Sequence, residues 1–290
     1  MMPIFLGSAL AYPHVNDISV IVLILTSLSA LCVHAAGNLF NTYYDFKYGV
    51  DRKVNKKTEE NDIIIGEDRT LTEGLLKPDD VVRLGLALYS IGTFSFLILT
   101  HFSLAREPYL ALIFFGALPL SFLYTGGIGF KYIAMGDLLI LLTFGPITVL
   151  YSFISQAGHY SPYPVLYALP LTLNTEAILH SNNTRDMLHD RSVGILTLSL
   201  LIGKTFSYYF YCVLIYVPYL MIAFIMFKVS WMCFLPLLTI GYARELCEEF
   251  RTNQLHKLPN RTAQLNFLLG SLYILSIIVT NTVRGKQQFL

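Results

Sequence analysis

Two clusters of carboxylate and amide side chains are the features of this sequence best suited to chemistry. In the first, Asn38, Asn41 and Asp45 are spaced three and four residues apart, so a helix would present all three on one face. Gly49 is expected to end that helix, because glycine readily adopts the left-handed conformation common at helix ends. The chain would then carry Asp51 back towards the same face.

The second cluster has the same chemistry further along the chain. Asn182, Asp186 and Asp190 follow one another at spacings of four, which again places two carboxylates and an amide on one helical face. Oxygen ligands without thiols or clustered histidines suit Mg²⁺, which commonly completes its coordination with phosphate oxygens and water. One acidic cluster at a membrane helix end could simply meet water. Two clusters favour a metal–diphosphate site, since ionisable groups near a bilayer are costly.

Basic side chains near these acids could neutralise the remaining charge of a diphosphate. Arg69 lies on the long polar stretch after the first cluster, Arg185 lies within the second cluster, and Lys131 lies between them. A guanidinium group suits phosphate because its planar fork can donate two parallel hydrogen bonds. Each of the three could instead be a basic anchor at the membrane surface, and both interpretations stay open for any one of them.

The composition identifies the environment in which this site must be built. Of the 290 residues, 54% are apolar and only 13% are charged, about half the charged fraction of a soluble domain. The net charge of +1 gives no indication of a nucleic-acid partner, and the four cysteines show no metal-ligand spacing. The composition therefore favours an all-α, multi-pass membrane protein and argues against a soluble enzyme.

The apolar runs are expected to form nine helices in one domain spanning 1–290. A spanning helix needs about 20 residues, so the apolar stub at 1–12 is too short to cross unaided, and we expect a first helix that has lost its beginning. The start has no basic region typical of a cleavable signal peptide. Two polar connections are substantial, at about 46–78 and 185–205. The other spans are placed at about 18–45, 79–101, 108–125, 132–154, 164–184, 206–227, 230–247 and 263–282.

The basic residues predict how these helices are oriented. If the amino terminus is cytoplasmic, alternating connections leave only four of the 20 Lys and Arg residues on the opposite side. Such an asymmetry is typical of multi-pass proteins, whose cytoplasmic loops are enriched in Lys and Arg. Both acidic clusters and both long connections then share the cytoplasmic face.

Several longer stretches resemble one known family. Gly37–Asp45, Phe122–Lys131 and Thr175–Asp186, together with Lys257–Ala263, are similar to the UbiA superfamily of intramembrane aromatic prenyltransferases. The resemblance covers most of residues 6–283 and is closest to the animal members that make menaquinone-4 (vitamin K2). Compared with those members, this chain has a longer loop between Asp51 and Asp68, through an insertion at about 53–66.

The resemblance implies a fold and a set of site residues. The fold would be a UbiA-type ring of nine helices around a central cavity that opens sideways to lipid, capped by the two long loops. One Mg²⁺ would be held by Asn41, Asp45 and Asp51, and another by Asn182, Asp186 and Asp190. Lys131, Arg69 and Arg185 would bind the diphosphate, the catalytic residues would be Asp45, Asp186 and Lys131, and the quinone and prenyl pocket would include Asn38, Tyr124 and Thr125.

The implied activity is Mg²⁺-dependent transfer of a prenyl group, geranylgeranyl, from its diphosphate to a naphthoquinol such as menadiol. The product would be menaquinone-4, and the same chemistry could serve ubiquinone synthesis. The expected location is the endoplasmic reticulum and Golgi, with a mitochondrial membrane as the alternative. Three other functions stay open: a transporter, prenylation of hydroxybenzoate or haem, and a non-catalytic, isoprenoid-sensing partner of a sterol-pathway reductase.

Overall fold

The computed structural model describes residues 1–11, 17–51, 69–105 and 108–284, and almost all of them belong to helices. No β-strand occurs in these ranges, where extended pairing is limited to one isolated bridge between Ile133 and Leu196. The expected all-α class is therefore confirmed. The insertion at about 53–66 lies outside the described residues.

The helices follow the predicted apolar runs closely. The amino-terminal half contains α1 (Met2–Ala11), α2 (Val20–Lys47), the single turn α3 (Arg69–Thr72), α4 (Pro78–Phe102), α5 (Tyr109–Leu123), α6 (Gly136–Leu142) and α7 (Thr148–Ala157). The carboxyl-terminal half contains α8 (Tyr163–Arg185), α9 (Met187–Val193), α10 (Leu198–Lys228), α11 (Ile240–Arg251) and α12 (Leu258–Arg284). Tight 3₁₀ segments occupy Phe130–Tyr132 and Trp231–Thr239, and a π-turn occupies Thr143–Ile147.

Five stretches are long and apolar enough to cross a membrane, judged by length and composition. They are Val20–Lys47, Pro78–Phe102, Gly136–Ala157, Leu198–Lys228 and Leu258–Val283. Large apolar side chains on their outer faces are exposed, among them Phe94 and Leu220, which is the surface expected of helices that face lipid. The count of nine spanning helices stays a prediction, because α1 and α5 are short and α8 carries many polar residues. The predicted span 230–247 is divided between the 3₁₀ segment Trp231–Thr239 and α11.

The second predicted cap loop is more ordered than expected. Within the range 185–205, where the sequence predicts a polar connection, the chain forms α9 and the beginning of α10. Thr197 begins α10 by accepting a hydrogen bond from the backbone N–H of Leu200. Gly203 then breaks the helical geometry at φ 76°, so the long membrane helix proper starts after this residue.

The pair α2 and α4 brings the first acidic cluster to its place. A Cβ atom on Gly92 would lie 3.1 Å from Cβ of Cys32 and 3.2 Å from the Ser29 carbonyl oxygen, so α4 approaches the backbone of α2 closely. Further along, Gly85 lies against the Phe40 ring. The apolar part of α2 is therefore fixed against α4, and its polar end extends to the site.

The π-turn between α6 and α7 allows a similar approach by α8. At Gly145, an added Cβ atom would overlap the side chain of Thr172 on α8. Wide turns of this kind are often found at functional sites because they redirect the side chains around them. Here the turn lets α8 pack tightly, which places its polar carboxyl-terminal half beside α6.

The short helix α1 is packed inside the molecule. Ser152 of α7 donates a hydrogen bond to the Ile4 carbonyl oxygen (2.5 Å), and its hydroxyl also lies 3.0 Å from that of Ser8. From the other end of the chain, the Asn281 amide donates to the Ala9 carbonyl oxygen at 3.2 Å. Hence α1 joins α7 to α12.

Candidate functional site

The first acidic cluster occupies the last turns of α2, as its spacing predicts. The Lys131 ammonium lies 2.5 Å from Oδ2 of Asp45 and donates to Oδ1 of Asn41 at 3.0 Å. The Tyr132 hydroxyl donates to the other oxygen of Asp45 at 2.8 Å. Asp45 is 6% exposed, so the contacts from Lys131 and Tyr132 satisfy a buried carboxylate.

The chain beyond α2 turns back as expected. Gly49 has φ 71°, and the backbone N–H groups of Val50 and Asp51 both donate to the Asp45 carbonyl oxygen, at 2.8 and 3.4 Å. This turn leaves Asp51 half-buried next to the end of the helix. Asn38 lies earlier in α2, on the amino-terminal side of Asn41. It is exposed, and its amide lies 3.5 Å from Nε2 of His34.

Lys131 reaches Asp45 because of a glycine-rich turn after α5. Gly127 and Gly129 both have positive φ, and the Lys131 N–H donates to the Tyr124 carbonyl oxygen at 2.8 Å. The loop therefore folds back over the end of α5 and presents Lys131 and Tyr132 together. Thr125, inside this turn, is fully buried, and its hydroxyl has no hydrogen-bond partner among the described residues.

The second acidic cluster lies where α8 meets α9. Arg185 forms a two-point interaction with Asp186, with both N–O distances at 2.7 Å, and also donates to Oδ1 of Asn182 at 2.7 Å. Asp186 has left helical geometry, yet its carbonyl oxygen still accepts from the N–H of Asp190 at 2.9 Å. The three predicted residues therefore stay close together although they belong to two helices.

Asp190 shows that the two clusters share one electrostatic environment. Burial raises its pKa to about 6, and the nearby charges of Asp186 and Asp45 act in the same direction, while Lys131 opposes them. Charges shift the pKa of a carboxyl group only when they are close to it. Asp190 therefore lies near Asp45 and Lys131 of the first cluster. The residues that the sequence placed on one membrane face are thus brought into one site.

Backbone contacts hold the two halves of the site together. Nε2 of His189 on α9 donates to the Val50 carbonyl oxygen (3.1 Å), which joins the second cluster to the turn after α2. The N–H of Ala134 donates to the Leu196 carbonyl oxygen (2.7 Å), and the Leu196 N–H donates back to the Tyr132 carbonyl oxygen (3.2 Å). These bonds connect the loop that carries Lys131 to the segment after α9.

Among the basic residues, Lys131 and Arg185 are within the site. Both contact a predicted metal ligand directly, and both are largely buried. Arg69 begins the single turn α3, but its side chain and all of Asp68 lie outside the described residues. The diphosphate-binding role assigned to Arg69 stays a prediction.

Sequence reasoning missed several polar residues near the site. Tyr132 is next to Lys131 and completes the contacts of Asp45. Deeper in the helices lie the buried acids Asp137 and Glu176, with His180 close to them. A lone acid inside an otherwise apolar run was the available signal, because such residues are costly in a membrane and usually have a function.

The donor set of the site is made of oxygen atoms. Within the described ranges, no three His, Cys, Asp or Glu side chains converge on one point, because each cluster combines carboxylates with an amide. Few carboxylates per ion is the pattern of Mg²⁺ sites that also use phosphate oxygens and water. The residues present therefore suit Mg²⁺ bound together with a diphosphate better than a metal held by protein alone.

Comparison with known protein families identifies the family of this chain. The UbiA prenyltransferase family matches residues 1–271. The chain belongs to that family. The UbiA resemblance of the sequence is thereby confirmed, and with it the assignment as an integral multi-pass membrane enzyme of the prenyltransferase class.

Individual relatives agree with this assignment. The chain is 49% identical to mouse UbiA prenyltransferase domain-containing protein 1 over 279 residues, covering 96% of this chain and 80% of the mouse protein. Identity to the human protein of that name is 48%, covering 96% of this chain and 79% of the human protein. Identity to the Drosophila melanogaster homolog is 47%, covering 95% of this chain and 75% of that protein.

Solved UbiA structures share the fold at low sequence identity. The apo UbiA homolog from Aeropyrum pernix K1 superposes with a TM-score of 0.71 at 16% identity, covering 94% of this chain and 95% of that one. The UbiA homolog from Archaeoglobus fulgidus, bound to GPP and Mg²⁺, superposes with a TM-score of 0.64 at 15% identity, covering 96% of this chain and 94% of that one. The UbiA-type helical arrangement is therefore confirmed.

Proposed function

We propose that this UbiA enzyme transfers a geranylgeranyl group from its diphosphate to a naphthoquinol such as menadiol, which yields menaquinone-4. The observation that carries the proposal is the convergence of two Asp/Asn clusters with Lys131 and Arg185 at the end of a bundle of apolar helices. That arrangement suits a ligand with an anionic head and a long apolar tail. The same prenyl transfer is also proposed to serve ubiquinone synthesis.

The two acidic clusters are proposed to hold Mg²⁺. An archaeal UbiA homolog of the same fold is bound to GPP and Mg²⁺, and the oxygen-only donor sets of this chain fit that ion. When bound, Mg²⁺ would stabilise negative charge on the departing diphosphate. The proposed ligands are Asn41, Asp45 and Asp51 in one cluster and Asn182, Asp186 and Asp190 in the other.

The basic residues are proposed to hold the diphosphate in place. Lys131 contacts the first cluster and Arg185 the second, so together they can contact a diphosphate from two directions. Arg69 is proposed as a third contact. Donors fixed near the leaving group favour its departure, because they stabilise charge where it develops during the reaction.

The apolar helices are proposed to keep water away from the reacting groups. As the allylic C–O bond breaks, an allylic cation forms that would react with water, and the intramembrane location excludes water. The electron-rich quinol ring then attacks the cation, and loss of the ring proton restores aromaticity. Asn38, the half-buried Tyr124 and the buried Thr125 are proposed to line the quinone and prenyl pocket.

The activity can be tested directly in membranes that contain the protein. The preparation receives Mg²⁺, menadiol and geranylgeranyl diphosphate, and prenylated naphthoquinone is measured by mass spectrometry, with an EDTA-treated sample as control. Asp45→Ala and Asp186→Ala should lower turnover by at least about 100-fold, as expected for loss of charge stabilisation at a leaving group. Asp79→Ala, which changes an exposed acid in the first turn of α4, should leave turnover unchanged.

Three outcomes of this experiment lead to different conclusions. Metal-dependent product that disappears in both site variants supports the proposal, whereas wild-type turnover in either variant contradicts the metal assignment. Bound geranylgeranyl diphosphate without product would favour the non-catalytic role, in which the chain senses isoprenoids for a sterol-pathway reductase.

Localisation in the endoplasmic reticulum and Golgi, rather than mitochondria, is proposed with this function and is tested by membrane fractionation.

A further inference from the structure

His34 is an ionisable residue in the middle of the membrane helix α2 to which the proposed reaction gives no role. It lies four residues before Asn38, seven before Asn41 and eleven before Asp45, so all four side chains share one face of the helix. An α-helix rises 1.5 Å per residue, which places His34 roughly 16 Å from Asp45 along the helix axis. His34 therefore lies on the face of the proposed metal ligands, about three turns deeper in the membrane.

The His34 side chain is exposed, but it points towards another part of the helix bundle. Phe144, in the π-turn between α6 and α7, contacts its ring edge-on, with the ring centroids 5.1 Å apart and an interplanar angle of 85°. The next residue of the turn, Gly145, lies against Thr172 of α8. Ionisable residues of membrane helices almost always face the bundle interior or a cavity. An exposed ring with this contact therefore indicates a residue that borders the space beneath the metal ligands.

The hydrogen bonding of His34 leaves one ring nitrogen for a ligand. The amide nitrogen of Asn38 lies 3.5 Å from Nε2. Because an amide N–H group only donates, Nε2 is the acceptor of this bond and the ring proton is on Nδ1. Nδ1 forms no hydrogen bond with any residue in the described ranges. A donor without a partner is costly inside a membrane protein, which points to a polar group on a bound molecule.

We propose that the Nδ1–H group of His34 donates a hydrogen bond to the far oxygen of a 1,4-dihydroxy aromatic acceptor, the oxygen more distant from the carbon that is prenylated. The inference rests on the proposed function, because it names the part of the quinol that this face of α2 recognises. Asn38 and His34 are about 6 Å apart along the helix axis, a span similar to that between the two para oxygens of a quinol. Asn38 contacts the oxygen nearer the diphosphate, and His34 contacts the other.

These contacts give His34 a role in selecting the acceptor rather than in breaking or forming bonds. A ring with a single hydroxyl group can still react with the allylic cation, but it leaves the N–H of His34 unpaired when it binds. An unpaired donor that has lost its water weakens the affinity for such a ring. Phe144 holds the imidazole edge-on, so the direction of the N–H group is set before the acceptor arrives.

The test measures the affinity for the acceptor, so it does not depend on turnover. Menadiol, kept reduced, is compared with 3-methyl-1-naphthol, which lacks the far oxygen but keeps the ring system, the methyl group and the near hydroxyl. Each is titrated calorimetrically into detergent-solubilised protein that contains Mg²⁺ and the unreactive thiolo analogue of geranylgeranyl diphosphate. Wild type should bind menadiol about fivefold more tightly than the naphthol, the usual contribution of one hydrogen bond.

His34→Phe removes the N–H group and keeps an aromatic ring against Phe144, so it should bind the two compounds equally, within about twofold. His101→Phe is the matched control, because His101 on α4 is also exposed and also lies edge-on to a phenylalanine, Phe102, at 5.2 Å and 87°. This control should keep the preference of wild type. In turnover, the KM for menadiol should rise about fivefold in His34→Phe, while the KM for geranylgeranyl diphosphate stays within about twofold.

Three results would overturn the inference. They are a preference for menadiol above about twofold in His34→Phe, no preference in wild type, and loss of the preference in His101→Phe as well. If His34→Phe does not fold, His34→Leu is measured under the same criteria.

Failure of the inference is distinguishable from failure of the proposed function. Wild-type protein that prenylates menadiol but binds the two compounds equally overturns the inference alone. Wild-type protein that prefers menadiol in binding but makes no product overturns the proposed prenyl transfer and supports the contact of His34 with the quinol. Wild-type protein that binds neither compound overturns both.

Discussion

Lys131 is the residue on which both halves of the site depend. Its ammonium group neutralises Asp45 and binds Asn41, and its charge also acts on Asp190 of the second cluster. An ammonium that lies among proposed metal ligands can be redirected to a diphosphate once a cation takes over the carboxylates. We therefore expect Lys131 to contribute to catalysis more than to stability.

Replacing Lys131 with Met keeps the aliphatic stem and removes the charge. Turnover of geranylgeranyl diphosphate should fall by about 100-fold or more, because a donor positioned at the leaving group is lost. Initial rates measured by mass spectrometry check this, with Lys204→Met as the control, since Lys204 is an exposed lysine bonded to Asn253. A variant that keeps more than about one third of wild-type turnover would contradict the role.

The predictability of the site residues follows their spacing in the sequence. Asn41 and Asp45, like Asn182 and Asp186, repeat at helical spacing, so their shared faces follow from the order of the residues alone. Glu176 and Asp137 could not be paired in this way, because they lie on different helices and each stands alone in its own apolar run. They become neighbours only in the fold, where α8 packs against α6 and the π-turn.

At the scale of single elements, the π-turn between α6 and α7 matters most for the site. Its sequence, Thr143–Ile147, contains Gly145 and Pro146, and the glycine lies at the contact with α8. Because the Thr172 side chain occupies the space beside Gly145, any larger residue there would push α8 away. The distance between α6 and α8 thus depends on this contact.

Substituting Gly145 with Ala tests the contact. The added methyl group overlaps Thr172, and overpacking of this kind commonly costs about 1–3 kcal/mol of stability. We expect a lower melting temperature in detergent, together with reduced turnover as α8 shifts. Gly116→Ala on α5 is the control, because nothing lies within 4 Å of its added Cβ atom. Equal melting of both variants would show that α8 is not held by this contact.

Element boundaries were less predictable than the existence of the elements. The apolar runs located α2, α4 and α12 within a few residues, since a lipid-facing helix must be continuously apolar. The helix α9, in contrast, lies in a stretch that is largely polar and was expected to be a loop. It forms because its neighbours supply partners, such as Val50 for the side chain of His189.

At the scale of the molecule, a junction between loops ties the two acidic clusters together. It consists of the bond from His189 to Val50 and the pair of bonds between Leu196 and the segment 132–134. Each loop therefore helps to position the other. A substitution on one side of this junction should therefore alter ligand binding at both clusters.

His189→Ala removes one of these connections without removing a proposed metal ligand. The lost hydrogen bond is worth about 1 kcal/mol, so the affinity for geranylgeranyl diphosphate with Mg²⁺ should weaken by about fivefold. Isothermal titration in detergent checks this, with the exposed residue His256 replaced by Ala as the control. An unchanged affinity in His189→Ala would mean that the two clusters are positioned independently.

The burial of α1 has a consequence for how a copy of this protein is made. The Ala9 carbonyl oxygen is bonded by the amide of Asn281, a partner 272 residues later in the chain. At a synthesis rate of about 5–20 residues per second, that partner is added on the order of 15–55 s later. The helix α7 is completed about half-way through this interval, so α1 can then pack on α7 while α12 is still missing, and the helix bundle has an open seam. The last helix therefore closes the bundle, and a copy interrupted before it would carry that seam as a mark of incomplete synthesis.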